Sequence, residues 1–104
     1  MRYRIIVPAL LCLLGMAATA GAQAFGPKTY ADCVMLNAKR AVSRDGGMLM
    51  RRACKCRFQD PKAPECRQYS QPALDCMIGN LGPAEHDEDA WGVERACRNK
   101  HPAP

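Results

Sequence analysis

Cys54, Cys56 and Cys66, taken with His86 and His101, are side chains of this 104-residue sequence that could be imagined as a zinc or copper site. Zinc sites usually separate paired thiolates by about two to four residues, and Cys54-Lys55-Cys56 leaves only one between them. Met48-Leu49-Met50 offers two thioethers, which suit Cu(I), but of two methionines so spaced on a helix one ordinarily faces the core. Neither histidine stands beside a serine or cysteine in a nucleophile motif. His86 reads instead as a helix cap and His101 as part of a frayed tail. Glu85, Asp87, Glu88 and Asp89 form a carboxylate cluster whose spacing matches no calcium loop, and three of the four fall where a helix N-terminus attracts acid. The expectation is a protein without catalytic residues, cofactor or metal.

The chemistry that remains is disulfide formation. The chain opens with two arginines, an apolar run from Ile5 to about Ala18, and small residues ending Ala-Gln-Ala. This is the layout of a secretory signal peptide, expected to span residues 1–24, with a mature protein from about Phe25. The apolar run is shorter than the roughly 20 residues of a membrane span. Cys12 lies within it, and the bulky Leu11 before it argues against lipidation. Six cysteines remain in a short exported chain, which reads as a disulfide framework and places the protein in the periplasm or outside the cell. So short a chain buries little apolar surface, and staples supply what a larger core would.

The elements that position these cysteines repeat. Successive cysteines from Cys33 to Cys97 enclose 20, 1, 9, 9 and 20 residues, two equal long intervals around a short middle. Setting Cys33 over Cys76 without gaps also aligns Asn37 with Asn80, Ala41 with Ala84, Met35 with Ile78 and Met50 with Val93, and Arg52-Ala53-Cys54 with Arg95-Ala96-Cys97. An internal duplication of a helical hairpin accounts for this pattern. The fold expected is all-α, with residues 25–104 forming one small domain: hairpin 29–58, a Pro-containing linker 59–69, and hairpin 70–101.

In the first hairpin Thr29 can cap a helix running to about Val42, and Ser43 can cap a second over about 44–57, with Asp45 in its first turn. The pair Gly46-Gly47 costs about 2 kcal/mol of helix propensity but lets backbones approach. In the second, Ser70 caps, Pro72 sits in the first turn, and Gly82-Pro83 stops the helix. His86 or Asp87 opens a final helix with an acidic start and a basic end, anchored in the core by Trp91 and Val93. Folded antiparallel, each hairpin brings its two cysteines together, giving Cys33–Cys54 and Cys76–Cys97. Cys56 lies about 200° round the helix from Cys54 and is expected to turn outward to Cys66, tying down the linker. Six cysteines allow fifteen pairings, so spacing alone leaves others open.

The segment CVMLNAKRAVSRDGGMLMRRACKCRF resembles a motif of short exported bacterial proteins of the four-cysteine kind. In these a cysteine, an apolar helix with Asn or Met and a Ser-Asp turn precede a second helix ending in Ala-Cys and basic residues. The likeness covers about residues 33–58 and departs at Gly46, Gly47 and the extra Cys56. It implies export and a helical hairpin. That family has no assigned activity, so no functional residue carries over.

Removing Arg2 and Arg4 with the signal lowers the formal charge from +5 to +3. The remainder is asymmetric: residues 25–58 hold eight basic and two acidic groups, and 59–104 hold five and eight. An exported protein rarely meets nucleic acid, which argues against such a partner. Lys39, Arg40, Arg44, Arg51, Arg52, Lys55 and Arg57 all fall on the first hairpin, where they could bind an anionic surface, polysaccharide or acidic protein, or simply face solvent. The function expected is that of a non-enzymatic binding or adaptor module with a protein partner in the envelope or extracellular space. The alternative is a small secreted effector, inhibitor or membrane-active cationic protein.

Overall fold

Three of the four helix starts among the described residues trace to a side chain that satisfies backbone N–H groups left unpaired in a first turn. In the computed structural model, which describes residues 28–104, the Thr29 hydroxyl accepts from the Asp32 amide at 3.1 Å and opens α1, Tyr30–Asn37. Ser43 accepts from the Gly46 amide at 3.0 Å and opens α2, Arg44–Phe58. Ser70 accepts from the Ala73 amide at 3.2 Å and opens α3, Gln71–Asn80, with Pro72 in its first turn. The fourth helix, α4, covers Asp87–Lys100. Short 3-10 turns occupy Ala38–Arg40 and Pro64–Cys66, and the described residues contain no strand. The segment 1–24 that the sequence reads as a signal peptide, with Cys12, lies outside the described residues.

α1 is shorter than expected. It ends at Asn37 rather than near Val42, because the Asn37 side-chain amide donates back to the Cys33 carbonyl at 3.0 Å and the chain tightens into the 3-10 turn. Ala41 is then extended, which delivers Ser43 in the extended conformation an N-cap requires. Asn80 does the same at the end of α3, donating to the Cys76 carbonyl at 2.7 Å. The offset that carries Cys33 onto Cys76 thus carries the end of α1 onto the end of α3, and Arg44, first residue of α2, onto Asp87, first residue of α4. Two hairpins of like geometry result.

α2 is the hub. It packs against α1, α3 and α4, and its buried residues Gly46, Gly47, Leu49, Met50, Ala53, Cys54 and Cys56 cover about half its circumference. A Cβ on Gly46 would lie 3.6 Å from the Leu81 carbonyl and 3.7 Å from the Ala90 Cβ, so the start of α2 approaches α4 and the turn before it closely. The largest fully buried side chains besides the cysteines are Leu49, Met50, Met77 and Leu81.

The structure pairs Cys33 with Cys54, Cys56 with Cys66 and Cys76 with Cys97, with Cα separations of 5.6, 5.4 and 5.7 Å, inside the range that bridges accept. Cys56 does not turn outward. It and Cys66 belong to the core beside Ala63 and Tyr69, because the linker folds back over α2 instead of looping away. Trp91 also departs from expectation: it is half-buried at the core's edge, and its indole N–H donates to Asp45 Oδ2 at 2.9 Å. An indole N–H sealed inside so small an apolar core would lack this partner. His101 is no frayed tail, since it ends α4 with its carbonyl accepting from the Ser70 hydroxyl at 2.7 Å. His86 occupies the N-cap position of α4, but its side chain makes no capping bond. The neighbouring Asp87 instead accepts from the Asp45 amide at 2.9 Å, capping α2 from another helix.

Candidate functional site: the basic edge of the first hairpin

On α2 the side chains of Arg44, Arg51 and Lys55 fall within roughly 40° of one another, Arg52 stands about 60° further round, and Arg57 lies on the far side. The seven cations singled out by sequence therefore do not form one patch. The Arg57 Nε meets Asp75 Oδ1 of α3 at 3.0 Å, and its guanidinium lies 4.9 Å above the Phe58 ring. The Lys55 ammonium donates to Glu65 of the linker at 2.7 Å. That hydrogen bond and the attraction behind it raise the lysine's pKa and lower the carboxyl's, so the pair stays charged between the ordinary carboxylate and ammonium ranges. Arg52 is half-buried, with one N–H 3.7 Å from the Met48 sulfur.

What remains open is smaller and better defined. Lys39, Arg40, Arg44 and Arg51 are exposed, and no carboxylate among the described residues lies within ion-pair distance of them. Within the same stretch of chain Met35, Leu36 and Val42 are respectively 62, 46 and 68 % exposed. A shallow groove of about 340 Å³ is lined by Arg40, Val42 and Met50 on the first hairpin and by Ile78 and Pro83 at the turn of the second. Met35 and Leu36 lie within α1 on positions that the core does not cover, and Val42 follows the 3-10 turn in extended chain.

Among the described residues the interior holds one polar cluster that spacing did not reveal. The Tyr69 hydroxyl donates to Glu94 Oε2 at 2.7 Å, and Glu94 is 3 % exposed. The other oxygen, Oε1, has no hydrogen-bond partner but lies 3.3 Å from the Arg98 guanidinium, an ion-pair contact. Burial pushes the Tyr69 phenol's pKa up, and the bond to Glu94 adds to this while nearby Arg52 opposes it. A glutamate three residues before the last cysteine, on the side of α4 that faces the linker, was the available sign.

The residues weighed for chemistry stay apart. Met50 is in the core and Met48 half-buried about 200° round the helix from it. His86 is exposed, Glu85, Asp87, Glu88 and Asp89 are exposed at the start of α4, and all six described cysteines are bridged. Among the described residues no three His, Cys, Asp or Glu side chains gather as a metal site would require, and no helix is long and apolar enough to cross a membrane. Three bridges in so small a helical chain point to an oxidising, non-cytoplasmic compartment. No family model, curated protein or solved structure matches the chain.

Proposed function

We propose that this protein is an exported, non-enzymatic binding or adaptor module whose contact surface is the open edge of the first hairpin. The observation that carries the reading is the juxtaposition of Lys39, Arg40, Arg44 and Arg51, without carboxylate partners among the described residues, with exposed Met35, Leu36 and Val42. Exposed apolar residues close in the chain to unpaired cations suit an acidic protein partner, which would gain apolar burial and complementary charge. The bridge between Cys33 and Cys54 holds this edge rigid before binding, which lowers the ordering cost of association. Disulfides, the signal-like first residues and the likeness to short exported four-cysteine proteins together support a periplasmic or secreted location.

A photo-crosslinker placed at Val42 in the full chain, expressed with its own leader, tests the reading. A discrete protein adduct is expected, and it should vanish in a Lys39→Glu/Arg40→Glu/Arg44→Glu variant that is still exported and folded. Equal adducts from a crosslinker at Asn99, on the second hairpin, would sink the assignment. The same exposed apolar and cationic residues favour a second reading, a membrane-active cationic protein. Leakage of anionic vesicles at micromolar protein would establish it, whereas an adaptor leaves them intact.

A further inference from the structure

The three bridges differ in how they meet solvent. Cys33, Cys54 and Cys56 are 0 % exposed and Cys66 3 %, so two bridges are sealed in the core. Cys76 alone is half-buried, and it lies with Cys97 in the floor of a shallow groove of about 230 Å³ lined also by Asn80, Val93, Ala96 and Lys100. The Asn80 amide nitrogen stands 4.0 Å from the Cys76 sulfur, a donor placed to stabilise charge there, and Lys100 brings a positive charge to the rim. Thiol–disulfide exchange needs an entering thiolate to reach a bridge sulfur, and exposed bridges are the labile ones.

We propose that Cys76–Cys97 is a thiol-exchange site of the folded protein, the bridge through which an external dithiol, such as that of a thioredoxin-like oxidoreductase, acts on it. The entering thiolate attacks the Cys76 sulfur and forms a mixed disulfide, while the Cys76–Cys97 bond breaks and its electron pair leaves on Cys97. The second thiol of the reductant, deprotonated, then displaces Cys76. The reductant departs as its own disulfide, and two electrons have passed to the protein, whose two thiolates take protons from water. Reduction leaves α2 stapled to α1 and to the linker, and α4 remains tied by the Tyr69–Glu94 and Ser70–His101 hydrogen bonds. The second hairpin therefore loosens at one end without the fold being lost. This holds whatever the first hairpin binds.

The test uses fully oxidised, folded protein with limiting dithiothreitol in buffer without denaturant, quenched with iodoacetamide and mapped by peptide mass. Alkylation of Cys76 and Cys97 is expected to run at least about tenfold ahead of the other four cysteines, because those bridges open only when the core does. Low urea should accelerate the other four steeply and leave the rate at Cys76–Cys97 nearly unchanged. Ala96→Tyr, which fills the groove from an exposed position, should slow exchange at this bridge several-fold while the melting temperature holds. Labelling that reaches all six cysteines together, or Cys33, Cys54, Cys56 or Cys66 first, overturns the proposal.

Discussion

Replacing Cys33 and Cys54 together by alanine should release α1 as a unit. Cys33 is the one fully buried residue of that eight-residue helix, and only the partly buried Tyr30 and Val34 join it in packing α1 on the core. A helix so short does not persist alone in water. The bridge closes a ring of sequence separation 21, worth about 3.3 kcal/mol on the chain-entropy relation. The Cys56–Cys66 ring, of separation 10, is worth about 2.7 kcal/mol by the same relation. The logarithm compresses the difference to about 0.6 kcal/mol, and because both bridges are buried, losing either also removes core sulfur contacts. Urea melts should therefore show both double variants destabilised by similar amounts. Helix content separates them: the first should lose roughly a sixth of the α-helical signal among the described residues, and the second far less, because Cys66 anchors a linker and not a helix. Far-ultraviolet circular dichroism of folded protein below each transition reads the difference. If Cys56→Ala/Cys66→Ala loses as much helix as Cys33→Ala/Cys54→Ala, the idea that the Cys33–Cys54 bridge anchors a helix while Cys56–Cys66 anchors only the linker is wrong.

Tyr69→Phe leaves a buried carboxylate with only its Arg98 contact and should cost about 2 kcal/mol in a urea melt. Because the folded protein raises the Tyr69 pKa above its ordinary 10.0, the wild type should lose stability as pH climbs past that value, and the Phe variant should lose less over the same range. Gly46→Ala sets a Cβ 2.6 Å from the Ser43 Oγ that caps α2, so a net loss of about 1 kcal/mol is expected despite better helix propensity. Gly79→Ala and Gly92→Ala add a Cβ with nothing within 4 Å, and each should raise stability by about 0.5–1 kcal/mol in the same melts. Intact mass and thiol titration of exported protein should show a chain starting near Phe25 with no free thiol, and two free cysteines per chain would defeat the framework. Dialysed oxidised protein should carry no stoichiometric zinc or copper by atomic emission, and one equivalent held at micromolar affinity would contradict the assignment of Met50 to the core and the cysteines to bridges.

Helix starts were legible from residue types, because Thr29, Ser43 and Ser70 cap through bonds only three residues long, which local sequence determines. The pairing of cysteines by equal intervals was legible too, since an antiparallel hairpin of fixed rise per residue brings equidistant cysteines together. Helix ends and the open edge were not. Nothing in TYADCVMLNAKRAV breaks a helix, and α1 stops because Asn37 bonds its own backbone and Ser43 must be extended to cap α2. The seven cations read as one patch because sequence cannot show that Asp75 and Glu65, far along the chain, fold back to take Arg57 and Lys55. The buried Tyr69–Glu94 pair, the sealed Cys56–Cys66 bridge and the indole bond from Trp91 to Asp45 arise in the same way. Each joins segments that local propensity does not connect, and only the packing of the linker and α4 onto α2 decides which polar groups meet and which bridge stays within reach of solvent.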